Sequence, residues 1–321
     1  MIRFGIVGAG KIASKFARDI QCVDKAKLVA IASRDLSKAI EFKEQHHIEY
    51  AFGSYEDMAK SDLIDAVYIA TPHNFHMEQS ILFMNHKKHV LCEKPISVNQ
   101  KEFEIMVEVA TRNNVLLMEA MWTSFLPVTL EINKIVEAKK FGNIKHMNIE
   151  FGFEFLGKGG DEGRLFNPKL AGGSLLDVGI YPVAYTFNIT NQPIKKMTSK
   201  ATMYPTGVDS EVIIDLVYED LSTARLVSSF IENKKQSAIL EFEHGTIVVD
   251  QFWSGERASI NDEVKHFPML GEGFPYEIAS FIDTLEKHEI ENHIMTHDRT
   301  RKCIKMLDDI RKQIGLVYPF E

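Results

Sequence analysis

The apolar run Ile2–Val7 stops at Gly8-Ala9-Gly10, and helical spacing takes over at Lys11. Gly8-Ala9-Gly10-Lys11-Ile12-Ala13 is therefore a Gly-x-Gly-x-x-Ala turn with a strand before it and a helix after it. That setting constrains the fold more than any other feature of the chain. Gly8 admits the tight turn, Gly10 lets a pyrophosphate approach the backbone, and Ala13 lets helix and strand pack closely. The helix start favours an anion. An ordinary strand-to-helix turn is the other reading; the context on both sides favours a dinucleotide site.

The pattern that follows agrees. Further apolar strands are expected at Leu28–Ala32, Ala66–Ala70, Val90–Cys92 and Val115–Met118, with helices at Leu36–Gln45, Phe75–Met84 and Lys101–Asn113 between and after them. Strand–helix alternation predicts a parallel sheet with helices on both faces. Beyond Met121 the pattern changes. A helix at Leu126–Lys139 and a strand at Ile144–Phe155 precede a helix at Gly173–Ile189. Five strand-like runs then follow, from Lys195 to Asp250, before helices return at Tyr276–Lys287 and Thr296–Gly315. Strands without intervening helices predict a mostly antiparallel sheet. The expected fold class is α/β: a doubly wound Rossmann domain at 1–121, then an α+β substrate-binding and dimerisation domain with a large open sheet at 122–321. A chain of 321 residues, 45% hydrophobic, suits two cores better than one.

Composition removes several function classes. A net charge of -8 gives no basic footprint for nucleic acid. No apolar run is long enough to span a membrane, and the N-terminus reads as a strand, not a secretory leader. Cys22, Cys92 and Cys303 are scattered and odd in number, so no disulfide framework or metal pair is expected. A cytoplasmic enzyme acting on a small molecule is the reading that remains.

The residues after the second strand bear on the cofactor. An Asp or Glu there bonds a ribose 2′-hydroxyl. Here the strand ends Ile31-Ala32-Ser33-Arg34-Asp35. Ser33 holds the acidic place, and Arg34 can pair with a 2′-phosphate or stack on adenine. NADP is expected, with NAD the alternative if Asp35 stands at the strand end. Arg34 as a solvated helix-start charge is the competing reading. Two histidines, His73 and His76, lack a third ligand of suitable spacing, so no metal is expected.

These residues, with Ala70-Thr71-Pro72-His73-Asn74-Phe75-His76, Glu93-Lys94-Pro95, Glu119-Ala120-Met121-Trp122 and Gly172-Gly173-Ser174-Leu175-Leu176-Asp177-Val178-Gly179-Ile180-Tyr181-Pro182, resemble the Gfo/Idh/MocA oxidoreductase family over the whole chain. Within it the chain looks most like the branch of dimeric dihydrodiol dehydrogenases and NADP-dependent xylose dehydrogenases. The resemblance implies hydride transfer between nicotinamide and the carbinol carbon of a sugar or trans-diol. It implies cofactor contacts from Gly8, Gly10, Lys11, Ile12, Ser33, Arg34, Thr71, Pro72, Asn74, His76, Glu93 and Lys94. It also implies a cis bond before Pro95 and a Lys94 aimed at the nicotinamide.

Asp177 and Tyr181 are four apart and would share a helix face. A free tyrosine has a pKa of ~10, and a neighbouring ammonium lowers it. The resemblance makes Tyr181 and Lys94 the acid/base pair and gives Asp177 an orienting role. Purely local capping and packing by Asp177 and Tyr181 is the competing reading. Trp122, Phe153, Phe155 and Trp253 are candidate substrate walls, and equally plain core. The glycine-rich 157–163 loop is either a lid or an ordinary surface loop. Gly271 to Glu277 starts a helix to which no catalytic role is assigned. In Glu211–Tyr218, apolar residues fall on both faces, which with the resemblance predicts a homodimer through that sheet. The alternatives are an inositol, keto-sugar or amino-sugar dehydrogenase of the same family, or a nucleotide-binding regulator without chemistry.

Overall fold

The computed structural model describes residues 1–321. They form two compact units, each discontinuous in sequence: residues 1–122 with 270–301, and residues 123–269 with 302–321. Residues 270–301, grouped from the sequence with everything after Met121, are compact with the first unit.

The first unit contains β1 (Ile2–Val7), α1 (Lys11–Asp19), β2 (Ala26–Ala32), α2 (Leu36–His46), β3 (Tyr50–Phe52) and α3 (Tyr55–Lys60). It continues with β4 (Ala66–Ile69), α4 (His76–Asn85), β5 (His89–Glu93), α5 (Gln100–Asn113) and β6 (Leu117–Ala120). The six strands are parallel, in the order β3-β2-β1-β4-β5-β6. This is the doubly wound order, and it reverses between β1 and β4, where such sheets hold their ligands. All four residues of β4 and the last four of β1 and β2 are buried. A sheet covered on both faces needs continuous apolar strands, and that is what the sequence supplies.

The second unit contains α6 (Pro127–Glu137), β7 (Ile144–Gly152), α7 (Ile180–Ile189), β8 (Ile194–Met203), β9 (Asp209–Tyr218) and β10 (Thr223–Ser229). Four further strands follow: β11 (Ser237–Phe242), β12 (Thr246–Asp250), β13 (Arg257–Ile260) and β14 (Glu263–His266). They build one eight-stranded sheet in the order β14-β13-β12-β11-β7-β10-β9-β8. Only β7 and β10 pair in parallel. Val212, Ile214 and Leu216 of β9 are buried on one face. On the other face Ile213 and Val217 are partly exposed, and Asp215 pairs with Arg225 at 2.9 Å. Apolar side chains do fall on both faces.

Two helices close the chain, α8 (Phe274–Glu286) and α9 (His297–Ile314). The α8 helix completes the first unit's core. Phe281 packs 5.7 Å from Phe4, and Phe274 lies edge-on to Phe16 at 6.3 Å. The Asp19 carboxylate accepts from the backbone N–H of Glu272 at 2.7 Å and of Phe274 at 3.3 Å, fixing the entry into α8. No helix is long and apolar enough to cross a membrane.

The elements not foreseen are β3, α3, β13 and β14. Each is three to six residues long, too short to show a period. Gly173–Ile189, expected as one helix, is instead a π turn at Leu175–Gly179 running into α7.

Candidate active site

At the end of β1, Gly8 has φ +98°. A Cβ there would lie 2.9 Å from the carbonyl oxygen of Ala70 and 3.1 Å from Thr71 Cγ2. Only glycine fits this contact between the turns after β1 and β4. Gly10 is different: a Cβ on it would meet no atom within 4 Å. The helix that follows has no side-chain cap and no acidic residue in its first turn. Its first amides are thus left for an outside acceptor. Open space at Gly10 and an uncapped helix start fit a pyrophosphate.

Ser33 is the first residue beyond β2 and is buried. Its Oγ accepts from the Asp35 N–H at 3.3 Å. The Asp35 Oδ1 accepts from the N–H groups of Ser37 at 3.0 Å and Lys38 at 3.4 Å, so it caps α2. The carboxylate nearest the strand end is therefore engaged by the helix. Arg34 is exposed, and its guanidinium lies 5.4 Å from the centre of the Phe75 ring.

The turn after β4 is fixed by side chains. Thr71 donates to Gln79 at 2.6 Å. His76 is fully buried, with Nδ1 2.8 Å from the Pro95 carbonyl and Nε2 2.8 Å from the Thr71 carbonyl. Both ring nitrogens thus tie the 71–76 turn to the loop after β5, and burial holds the imidazole below its ordinary pKa. Asn74 keeps a buried Oδ1 with no hydrogen-bond partner, a polar atom available to a bound group.

The loop after β5 is anchored residue by residue. Glu93 is buried and accepts from the Tyr68 hydroxyl and, at 3.2 Å, from the Lys94 N–H. The Lys94–Pro95 bond is cis, as the resemblance implied. His76 meets the Pro95 carbonyl, and the buried Glu119 accepts from the Ile96 N–H at 3.1 Å. Glu119 also accepts from Thr300 at 3.1 Å, and burial pushes its carboxyl up to about 7. Lys94 therefore sits in a backbone held on both sides.

In the second unit, Asp177 lies in the π turn and Tyr181 in the first turn of α7; both are buried. Asp177 is paired with Arg164, Nη1 to Oδ1 at 2.8 Å. The start of the π turn is set by Asp209. Its Oδ2 accepts from the Ser174 hydroxyl and the Leu175 N–H, each at 2.7 Å. Gly173, at φ +122°, makes room: a Cβ there would collide with Asp209 Oδ1. The Tyr181 ring packs 5.4 Å from Phe151 and 6.1 Å from Trp253, and Trp253 stacks on Phe151 at 4.9 Å. Trp253 Nε1 donates to Gln236 at 3.1 Å.

The four candidate substrate walls divide. Phe153 touches Phe151 and Phe155, so both join the aromatic cluster that holds Tyr181 and Trp253. Trp122 stacks instead on Phe274 at 4.9 Å, inside the first unit. The 157–163 loop is exposed for most of its length, with Gly157, Gly159 and Gly160 at positive φ. The roomiest groove of the second unit, about 670 Å³ between α7, β8 and the end of α9, contains none of the candidate residues.

Comparison with known proteins follows the same division. Residues 2–121 match the family model described as an oxidoreductase family with an NAD-binding Rossmann fold, GFO/IDH/MocA, and residues 129–248 match the GFO/IDH/MocA C-terminal domain. The chain belongs to the GFO/IDH/MocA oxidoreductase family. It is 34% identical to scyllo-inositol 2-dehydrogenase (NADP(+)) IolU of Bacillus subtilis, over 99% of each chain. It is 32% identical to trans-1,2-dihydrobenzene-1,2-diol dehydrogenase of Danio rerio, over 99% of this chain and 98% of that one. Among solved structures, aldose-aldose oxidoreductase from Caulobacter crescentus superposes with a TM-score of 0.88 at 20% identity, covering 98% of this chain and 97% of that one, which speaks to the fold alone.

Sequence reasoning did not find Arg164, Asp209 or Glu119 as supports of the candidate residues. Arg164 and Asp209 stand 13 and 34–35 residues from their partners, and no local pattern marks such pairs. The only signal for Asp209 was indirect: the Gly172-Gly173 pair before Ser174 asked for room that something had to fill.

Proposed function

We propose that this oxidoreductase is an NADP-dependent dehydrogenase of CH–OH groups, acting on a sugar, inositol or trans-diol. The observation that carries the cofactor choice is the end of β2. Ser33 takes the place of an acid, Arg34 projects to solvent, and Asp35 is committed to capping α2. A relative whose name includes NADP(+) supports the same choice. The bound nicotinamide supplies the hydride donor or acceptor. This chain's residues do the rest. The 1–121 domain binds the cofactor through the glycine turn, the Thr71–His76 turn and the Glu93–Lys94 segment. The 122–321 domain receives the substrate.

Lys94 and Tyr181 together take and return the hydroxyl proton, because an ammonium stabilises the phenolate. Asp177, already held by Arg164, orients the reacting hydroxyl. Phe151, Phe153 and Trp253 keep water from the Tyr181 ring. The mixed outer face of the second sheet supports a homodimer, and a cytoplasmic location completes the reading.

Initial rates with aldoses, inositols and trans-dihydrodiols, each with NADP and NAD, test the substrate class. Tyr181→Phe is expected to bind NADP normally and to lose turnover by a factor of about 10²–10⁴. Unchanged turnover in that variant would remove Tyr181 from the chemistry. NADP binding with no reaction on the whole panel would favour a regulator.

A further inference from the structure

Glu277 is the only titratable residue of α8 that is buried, at 0% exposure. Neither carboxylate oxygen has a hydrogen-bond partner. The elements packed on α8 are α1 and the short 3₁₀ turn Ile20–Cys22. Their charged groups are occupied or remote. Lys15 and Arg18 pair with Glu272 at 2.8 and 2.5 Å, and Asp19 holds the amides of Glu272 and Phe274. Lys11 and Cys22 are exposed. From the sheet, the groups in reach are Tyr68, Glu93 and Glu119. The one charge that acts on Glu277 is Glu93, and its sign is repulsive. Burial first, and Glu93 second, push the Glu277 carboxyl well above the ordinary carboxylate range. Glu277 therefore keeps its proton at neutral pH.

A buried acid with no partner costs stability. Packing alone would be served better by an apolar side chain. What sets this position apart is its coupling to Glu93, which holds the backbone of Lys94 and the hydroxyl of Tyr68. We propose that Glu277 is a positioning residue for Lys94, a buried neutral acid whose ionisation adds a second negative charge beside Glu93 and so prolongs the charged state of the lysine. This rests on the reading of Lys94 as the proton-handling group.

The sign of the stability effect can be worked out. Unfolded, the carboxyl ionises near ~4.3. Folded, it keeps the proton to much higher pH. The native state therefore holds one more proton than the unfolded state across that window, and stability falls as pH rises. Glu277→Gln puts a neutral amide of the same shape in its place. The folding equilibrium constant of the variant is expected to gain on the wild type by about tenfold per pH unit between pH 5 and 8. Glu119 and Asp19 titrate in both proteins and cancel.

The test is denaturant unfolding of both full chains across that range, joined to a carbon NMR titration of the Lys94 side chain. Neither needs substrate or cofactor. In the variant the Lys94 midpoint is expected to move down by about 0.5 unit or more, as loss of a nearby negative charge requires. A stability gap that does not change with pH overturns the neutral acid. A Lys94 midpoint that stays in place overturns the positioning role. Glu277→Met repeats both measurements if the amide variant does not fold. Should Lys94→Ala retain turnover, the catalytic reading of Lys94 fails on its own, and the titration still decides whether Glu277 governs the charge of the lysine.

Discussion

Two glycine-rich turns in this chain start helical segments, and they handle the helix start in opposite ways. At Gly10 the start of α1 is open: no side chain caps it, and no atom lies within 4 Å of a notional Cβ. At Gly173 the start of the π turn is filled: Asp209 binds Ser174 and Leu175 and occupies the space a Cβ would need. A helix start must find acceptors for its free amides. The first turn leaves them for an anion from outside. The second satisfies them with a carboxylate from the fold. The first is thus built as a binding site and the second as a scaffold for Asp177 and Tyr181.

Single substitutions can break this contrast. Gly173→Ala is expected to have the largest effect. It combines a positive φ with a collision against a buried carboxylate, and should lower stability by about 3 kcal/mol in denaturant titration. A loss below about 1 kcal/mol would mean that Asp209 does not fill the turn. Gly10→Val should do the reverse. Its φ of −93° suits valine, so stability should change by less than about 0.5 kcal/mol. NADP affinity, read by calorimetry, should fall by about a hundredfold, ~2.7 kcal/mol. Unchanged affinity would remove the pyrophosphate from this turn. Ser33→Asp sharpens the cofactor half of the comparison. A carboxylate at the end of β2 repels a 2′-phosphate and suits a ribose hydroxyl, so the ratio of kcat/KM for NADP over NAD should drop about tenfold, ~1.4 kcal/mol. An unmoved ratio would mean that selectivity lies elsewhere.

The same contrast explains what could be read before the structure. The cofactor turn was legible because its logic is local: Gly8, Gly10 and Ala13 act within six residues, between a strand and a helix that show their own periods. The Lys94–Pro95 cis bond came with the family motif. The second site was legible only as a motif. Asp177 and Tyr181 stood out by spacing, yet the π turn that carries Asp177 has no sequence signature distinct from the α-helix it enters. Short elements such as β14, with Glu263 and Val264 exposed, exist through pairing with β13 and not through any pattern of their own.

The sequence by itself determined the two kinds of sheet, the parallel strand-and-helix half and the long antiparallel half, because hydrophobic period and run length are properties of neighbours along the chain. It also determined the glycine turn and the residues offered for chemistry. Only the tertiary structure decided which groups hold those residues: Arg164 on Asp177, Asp209 under Ser174, His76 between two carbonyls, and α8 returning to the first unit with Glu277 buried. Those partners lie far apart in sequence. Burial and electrostatic coupling depend on distance through space, and the chain reveals that distance only once it is folded.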